Sequence, residues 1–143
     1  MLSIAVGLWT IYPSTPSPRN LDTALAYIFT QRQPGDAVIV LDWQSFDSTA
    51  LYYPNVADVY VGAPATEIDY WQRRMALMRW ITPSQVGPAE WYAERYQRIW
   101  VLQTPYTYPK NWDATAPWLK QHAHLSMEHD LPSIRVLLYE MGG

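Results

Sequence analysis

Hydrophobic positions fall into short groups separated by proline and glycine, and their spacing alternates between that of helices and that of strands. In residues 19–33 the apolar positions follow i, i+4, i+7 and i+8, at Leu21, Leu25, Ile28 and Phe29. This spacing places them on one face of a helix. Pro18 suits its first position, and Pro34-Gly35 ends it. The pattern therefore predicts a helix that stops at a tight corner.

Four apolar runs then predict strands, of which the first is continuous and rich in β-branched residues, as in a strand covered on both faces, and the second is shorter and weaker. These runs occupy residues 37–43, 56–62, 98–104 and 134–140. The last run is expected to pair with residues 125–130 across a turn at 131–133, where Pro132 interrupts the apolar pattern.

The segments between these runs are mostly helical in pattern. Residues 66–81 give the clearest helix, with a buried stripe at Ile68, Trp71, Met75 and Met78. Residues 45–54 predict a short helix or turn, and 87–96 a further helical turn or two. Residues 105–117 predict a loop that opens into a helix near residue 118. Alternating helices and strands predict an α/β fold: a three-layer Rossmann-like sandwich whose largely parallel sheet has about four to five strands and an antiparallel C-terminal edge.

The first 18 residues differ from the rest. Residues 1–12 are apolar, but a membrane-spanning helix needs about 20 such residues. Trp9 and Tyr12 are typical of a membrane interface, so we interpret 1–12 as the outer end of a transmembrane helix. A first strand or a docked apolar arm is the alternative. Residues 13–18 hold three prolines and predict a stiff linker, which leaves 19–141 as a single α/β domain.

Composition excludes several classes of function. The net charge is −3 and no basic stripe occurs, so nucleic acid is not an expected partner. The chain has no cysteine, which excludes disulfides and thiol catalysis. Eight tryptophans and eleven tyrosines give it an unusual supply of aromatic rings with a polar group. Such rings suit membrane interfaces, sugar contacts and ordinary cores alike.

No motif for catalysis or cofactor binding is present. The strand at 37–43 is followed by a segment without glycine, so the G-x-G-x-x-G cradle for a dinucleotide is absent, as is a Walker-type loop. There is no G-x-S-x-G elbow. His122, His124 and His129 lack the spacing of a metal site and are interpreted as surface residues. The sequence thus predicts no catalytic residue, no metal and no cofactor.

A ligand can still bind where the carboxyl ends of parallel strands meet. Six residues that follow the predicted strands bring aromatic faces and carboxylates to that edge: Asp42, Trp43, Asp47, Tyr106, Tyr108 and Trp112. Aromatic faces beside carboxylates suit a sugar ring, whereas the alternative is that these side chains pack the loops together or meet lipid headgroups.

Several segments occur together in a known arrangement. An apolar stub and a Pro/Ser linker lead to "QPGDAVIV" and "LYYP", and later to "RYQRIWVLQT" and "IRVLLYE". This arrangement resembles the extracytoplasmic C-terminal domain of bacterial polytopic GT-C-class membrane glycosyltransferases, namely the dolichyl-phosphate-mannose–protein mannosyltransferase-like and aminoarabinose-transferase-like proteins. The resemblance implies a location on the extracytoplasmic side of the cell membrane and a parent enzyme that uses a polyprenyl-phosphate sugar. It also implies that the catalytic groups lie in membrane segments outside these residues.

The first hypothesis is therefore a non-catalytic domain that docks on the transmembrane part of the same protein and aids contact with an acceptor, a glycan or a lipid-linked sugar. The second is a free-standing module that binds carbohydrate or another small ligand. A soluble enzyme with a degenerate site is a third alternative. The oligomeric state cannot be inferred from the sequence.

Overall fold

A computed structural model describes residues 18–67, 69–70, 73, 86–91 and 93–142. The predicted apolar arm, the linker as far as residue 17 and most of the helix predicted at 66–81 lie outside these residues.

Within the described residues the helices and strands follow the predicted order, with one short strand at 86–87 in addition. They are α1 (Pro18–Gln31), β1 (Ala37–Val40), α2 (Trp43–Tyr52), β2 (Val59–Gly62), β3 (Val86–Gly87), β4 (Arg98–Gln103), α3 (Pro109–His122), β5 (Ala123–Leu131) and β6 (Ile134–Met141). Single turns of 3₁₀ helix lie at Ala65–Glu67, Ala89–Trp91 and Ala93–Arg95.

The described strands form one six-stranded sheet in the order β3-β2-β1-β4-β6-β5. The four strands β1 to β4 are mutually parallel, while β6 runs antiparallel to both β4 and β5. The mixed α/β fold with a mostly parallel sheet is thus confirmed, and the antiparallel pair lies where it was predicted. The prediction of four to five strands missed β3, because two residues are too few to produce a hydrophobic pattern.

Alternate residues of the strands pack into two separate hydrophobic clusters. In β1, Val38 and Val40 join one cluster, which also contains Leu25 of α1 and Phe46 of α2. Ile39 points the other way and joins a second cluster. That cluster includes Leu119 of α3 and Val101 of β4. Because successive side chains of a strand point to opposite faces, the two clusters cover the two faces of the sheet.

The corner after α1 adopts the conformation that its sequence predicts. Gly35 has φ of 88°, in the left-handed region that glycine enters without a Cβ penalty. The helix before it buries Leu21, Leu25 and Ile28, three of the four positions on its predicted face. Phe29, the fourth, is half-buried and packs on Tyr53 with 4.4 Å between ring centroids.

One buried carboxylate oxygen connects the corner at residues 32–36 to β4 through hydrogen bonds. Asp36 Oδ2 accepts hydrogen bonds from Gln33 N at 3.0 Å, Arg98 Nε at 3.2 Å and Trp100 Nε1 at 3.0 Å. Arg32 donates to the backbone oxygen of Asp36 from both Nε and Nη2. Residues 32–36 therefore fix the end of α1 to the start of the sheet.

The helix α3 begins much earlier than the sequence predicted, and the expected loop at 105–117 is shortened to four residues. Pro109 stands at the start of α3, where its fixed φ suits a first turn and its missing N–H is not needed. Pro117 lies inside α3. An internal proline normally breaks a helix, but here Ala116 and Leu119 are buried and anchor this stretch against the sheet. Tertiary packing has overridden the local signal.

Close packing between α3 and β2 explains the glycine at position 62. A Cβ added to Gly62 would lie 2.8 Å from Thr115 Oγ1 and 3.1 Å from both Ile39 Cγ2 and Leu41 Cδ2. We expect Gly62→Ala to lower the free energy of unfolding by about 1–3 kcal/mol, the usual cost of overpacking a core. Urea denaturation followed by circular dichroism measures this change.

A double-mutant cycle with Thr115→Ala provides the control for this prediction. The Thr115 hydroxyl is buried and makes no hydrogen bond, so its removal relieves the nearest contact at little cost. Gly62→Ala should therefore be less destabilising in the Thr115→Ala background. Equal effects in both backgrounds would show that the helix α3 does not press on Gly62.

Candidate functional site

The strand order of the sheet reverses between β1 and β4. Open α/β sheets usually bind their ligands at such a reversal, outside the carboxyl ends of the strands. From β1 the chain passes to β2 and β3 on one side, then returns to β4 on the other. The helix α2 after β1 covers one face, and α3 after β4 covers the opposite face. The two connections diverge at the carboxyl ends of β1 and β4. All six sequence-predicted ligand residues belong to these two connections.

Asp42 occupies this position but does not face solvent. Its side chain is fully buried and caps α2, since Oδ1 accepts from Ser45 N at 2.7 Å. Oδ2 accepts from Ser45 Oγ at 2.9 Å and from Thr104 Oγ1 at 3.0 Å. Burial raises the pKa of Asp42, and these hydrogen bonds oppose the increase. The carboxylate thus connects the end of β1 to the end of β4.

Residues 104–111, which follow β4, cover the same position at the end of β1. Thr104 Oγ1 accepts from Tyr106 N at 3.0 Å, and Thr107 Oγ1 accepts from Thr104 N at 2.9 Å. The backbone oxygen of Leu41 accepts from Tyr108 N at 3.2 Å and from Asn111 Nδ2 at 3.1 Å. Most of the polar groups at this position are therefore satisfied within the chain itself, while Asn111 Oδ1 is buried and accepts no hydrogen bond.

The six predicted residues do not form one open surface. Trp43 is buried in the hydrophobic cluster beneath α1 and α2. Trp112 is half-buried and packs against the cluster beneath α3, on the other face of the sheet. Asp47 on α2 and Tyr106 are half-buried, and Tyr108 is 39% exposed. Of the four aromatic residues, Tyr108 offers the most accessible ring.

Among the residues that the structure describes, two open clefts lie at the carboxyl edge of the sheet, on either side of this closed position. The first, which we call the polar cleft, has a volume of about 600 Å³. Its lining is Gln103, Thr104, Pro105, Asp130, Leu131, Ser133, Ile134 and Arg135. The second, the tyrosine cleft, has a volume of about 370 Å³ and is lined by Glu67, Tyr70, Tyr108, Pro109 and Lys110.

The polar cleft is built on a row of residues that crosses three strands. Arg135 of β6 is paired in register with Gln103 of β4 and with Asp130 of β5. Its guanidinium forms ion pairs with Glu128 and with Asp130, the latter at 3.5 Å. Gln103 Oε1 is buried and accepts no hydrogen bond. The cleft therefore offers hydrogen-bonding groups, and the charge of its one cation is offset by Asp130 in the lining and by Glu128, which does not line the cleft.

The hydrophobic pattern of the sequence does not reveal this row, although it indicates the strands that form it. That pattern predicted a turn at 131–133 and a strand on each side of that turn. It did not predict that β6 would insert between β4 and β5, which brings the turn beside the end of β4. That arrangement depends on pairing between distant segments, which hydrophobic periodicity does not reveal.

The tyrosine cleft combines exposed aromatic rings with one ion pair. Tyr70 is 57% exposed, and Lys110 Nζ lies 3.2 Å from Glu67 Oε1. Tyr108 is the N-cap residue of α3 but makes no side-chain capping bond. Serine, threonine, aspartate and asparagine are the usual residues at such a position. The aromatic ring at position 108 is thus not explained by the needs of the helix.

The three histidines lie apart from both clefts. His122 ends α3 and stacks on Trp118 with 4.5 Å between ring centroids, and His129 of β5 stacks on Tyr27 at 4.1 Å. His124 is exposed on β5. Within the described residues, no three side chains of the metal-binding types come together.

None of the described helices is both long and apolar enough to cross a membrane. No protein-family model and no curated protein matches the chain. Among solved structures, it is similar to the 16S rRNA methylase RmtB at 10% sequence identity, over 98% of this chain and 81% of the other. The TM-score is 0.28, and a similarity at that level supports no conclusion about fold or function.

Proposed function

We propose that residues 19–141 are a non-catalytic extracytoplasmic domain of a membrane glycosyltransferase-like protein, held at the membrane by residues 1–12 and docked on the transmembrane part of the same protein. Its architecture in this proposal is a three-layer Rossmann-like sandwich, which the two hydrophobic clusters on opposite sheet faces support. Its role is contact with an acceptor glycan or a lipid-linked sugar at the carboxyl edge.

One observation carries the non-catalytic part of this proposal. The position at which such sheets usually bind their ligand is occupied by Asp42, Ser45 and Thr104, which form hydrogen bonds with one another. A catalytic group needs access to its substrate, and the buried Asp42 has none. A parent enzyme would therefore supply its reactive groups from other segments.

The polar cleft supports the glycan part. Sugar hydroxyls both donate and accept hydrogen bonds, and the cleft provides the amide of Gln103, the guanidinium of Arg135 and the carboxylate of Asp130. A phosphate or another anion is disfavoured, because the Arg135 guanidinium already pairs with Glu128 and Asp130. The cleft volume of about 600 Å³ lies within the range of ordinary ligand sites.

Attachment to the membrane is tested by adding a charge to the apolar arm. We expect Leu8→Asp to weaken the association of the chain with phosphatidylcholine vesicles by tenfold or more, because a carboxylate is costly to place among lipid tails. Thr15→Asp adds the same charge in the linker and should leave binding unchanged. Co-sedimentation with vesicles measures both. Equal binding by the two variants would remove the proposed membrane attachment.

Glycan contact is tested by nuclear magnetic resonance. Neutral methyl pyranosides are expected to shift the Gln103 side-chain amide and the Arg135 Nε signal, whereas inorganic phosphate should shift neither, since the Arg135 charge is offset by Glu128 and Asp130. Asn55, exposed and distant from the cleft, provides a side-chain amide as an internal control. A lack of sugar-dependent shifts would rule out this role. Shifts in a chain whose arm does not bind vesicles would favour the second hypothesis, a free-standing carbohydrate-binding module.

A further inference from the structure

We infer that the carboxyl edge of the sheet faces the bilayer and that the tyrosine cleft lies in the lipid headgroup region. This inference rests on the proposed membrane attachment through residues 1–12. It adds what that proposal leaves open, namely which side of the domain meets the lipid.

The start of α1 gives the direction. Asn20 Nδ2 donates to the backbone oxygen of Pro132 at 3.4 Å, so the first turn of α1 lies beside the turn between β5 and β6. That turn is at the carboxyl edge, because Arg135 at the start of β6 pairs with Gln103 at the end of β4. The other end of α1 lies at the opposite edge, where Arg32 Nη2 donates to Ala57 O at 3.0 Å, just before β2.

The short length of chain between residue 12 and α1 limits the orientation of the domain relative to the membrane. From Tyr12 to Pro18 there are six residue steps, which span at most about 20 Å when fully extended. The helix α1 has 14 residues and is about 21 Å long. If residue 12 lies at the membrane surface, the carboxyl edge is the near edge. To bring the opposite edge to the membrane surface, residues 12–18 would have to extend fully along the whole length of α1.

The chemistry of the carboxyl edge is an independent second observation. The tyrosine cleft presents Tyr70 and Tyr108, whose rings are apolar and whose hydroxyls are polar, as is typical of residues at a membrane interface. Lys110 beside them has a long apolar stem and an exposed ammonium group. Its charge is offset by Glu67, so binding should not require anionic lipid. A neutral phosphatidylcholine surface is therefore the expected partner.

Another exposed apolar pair makes the inference testable. Leu51 and Tyr52 lie at the end of α2 and are exposed. The neighbouring Tyr53 packs on Phe29 near the end of α1, which places this pair toward the opposite edge of the sheet. If the membrane-facing side were determined only by exposed apolar residues, Leu51 and Tyr52 would contact the lipid. If it is determined by the position of the start of α1, these two residues remain in water.

The first experiment uses the absence of cysteine, which allows a label at a single introduced site. Gln44→Cys marks the carboxyl edge and Asn55→Cys the opposite edge, and both positions are exposed. Each full chain carries a fluorophore and is added to phosphatidylcholine vesicles with nitroxide-labelled headgroups. We expect at least threefold stronger quenching at position 44 than at position 55. Equal quenching, or stronger quenching at 55, would overturn the orientation while the membrane attachment stands. A chain that stays in the supernatant would overturn both.

A matched pair of substitutions then tests the tyrosine cleft itself. Tyr108→Ser should weaken vesicle binding by about threefold to tenfold, while Tyr52→Ser should leave it unchanged. Serine is a preferred N-cap residue, so the change at position 108 should preserve α3, which circular dichroism can verify. Loss of binding from Tyr52→Ser and not from Tyr108→Ser would place the opposite edge against the lipid.

Discussion

Replacing Asp36 by alanine is expected to lower the free energy of unfolding by about 3 kcal/mol or more. Its Oδ2 atom accepts hydrogen bonds from Gln33 N, Arg98 Nε and Trp100 Nε1, and its side chain is buried. Removal of the carboxylate leaves three donors without their acceptor, one of them a partly buried guanidinium. Breaking a buried charge pair in this way typically costs about 3–5 kcal/mol. Urea denaturation measures the change.

Two further variants separate the contributions. Asp36→Asn keeps an oxygen acceptor but loses the charge, so it should cost about half as much as the alanine. Asp22→Ala removes an exposed carboxylate from α1 and should change the stability by less than about 0.5 kcal/mol. If Asp36→Ala and Asp22→Ala changed the free energy of unfolding by similar amounts, the hydrogen bonds between Asp36 and β4 would not be a main source of stability.

This contact also explains two of the segments on which the family resemblance rests. Asp36 belongs to "QPGDAVIV", while Arg98 and Trp100 belong to "RYQRIWVLQT". The two segments are 62 residues apart at Asp36 and Arg98, and they are joined by a hydrogen bond. The side chains of Asp36, Arg98 and Trp100 hold the scaffold together and line neither cleft, whereas Gln103 and Thr104 at the end of the second segment line the polar cleft. Segments of this kind are informative about fold, and they carry little information about activity.

The fold was largely predictable because its main elements carry strong local signals. All of β1 is buried, as its continuous run of apolar residues indicates. Leu21, Leu25 and Ile28 mark the buried face of α1 by their spacing. The failure at α3 had a local cause as well, since Pro117 normally breaks a helix, and only packing against the sheet offsets that effect.

The candidate site was less predictable because its properties depend on contacts between distant segments. Asp42 was placed correctly at the end of β1, but its burial follows from Thr104, which is 62 positions away. Trp43 and Trp112 both follow strands of one sheet, yet α2 and α3 lie on opposite faces and separate their rings. A sequence shows which residues stand at a sheet edge. It does not show which of them the chain itself covers.

The role of Asp42 leads to the second prediction of a large effect. Asp42→Ala removes the N-cap of α2 and leaves the hydroxyls of Ser45 and Thr104 without their acceptor. A lost cap costs about 1 kcal/mol and a buried unsatisfied hydroxyl about 1–3 kcal/mol, so we expect a total loss of about 3 kcal/mol. Gln44→Ala, at an exposed neighbouring position, is the control and should be near neutral. A loss below 1 kcal/mol for Asp42→Ala would contradict the structural role assigned to this carboxylate.

Asp42→Asn should be much milder and should reveal how burial acts on the charge. The amide oxygen can still accept from Ser45 N, and no charge is buried. In the native protein burial raises the pKa of Asp42 above its ordinary value of 3.8, so the folded state binds the proton more tightly than the unfolded state. Its contribution to stability is then greatest below pH 3.8 and decreases as the pH rises from there through the raised pKa. The free energy of unfolding of the native protein, measured by urea denaturation relative to Asp42→Asn, should therefore fall across that range. A rise would show that hydrogen bonds to the carboxylate outweigh the cost of burying its charge.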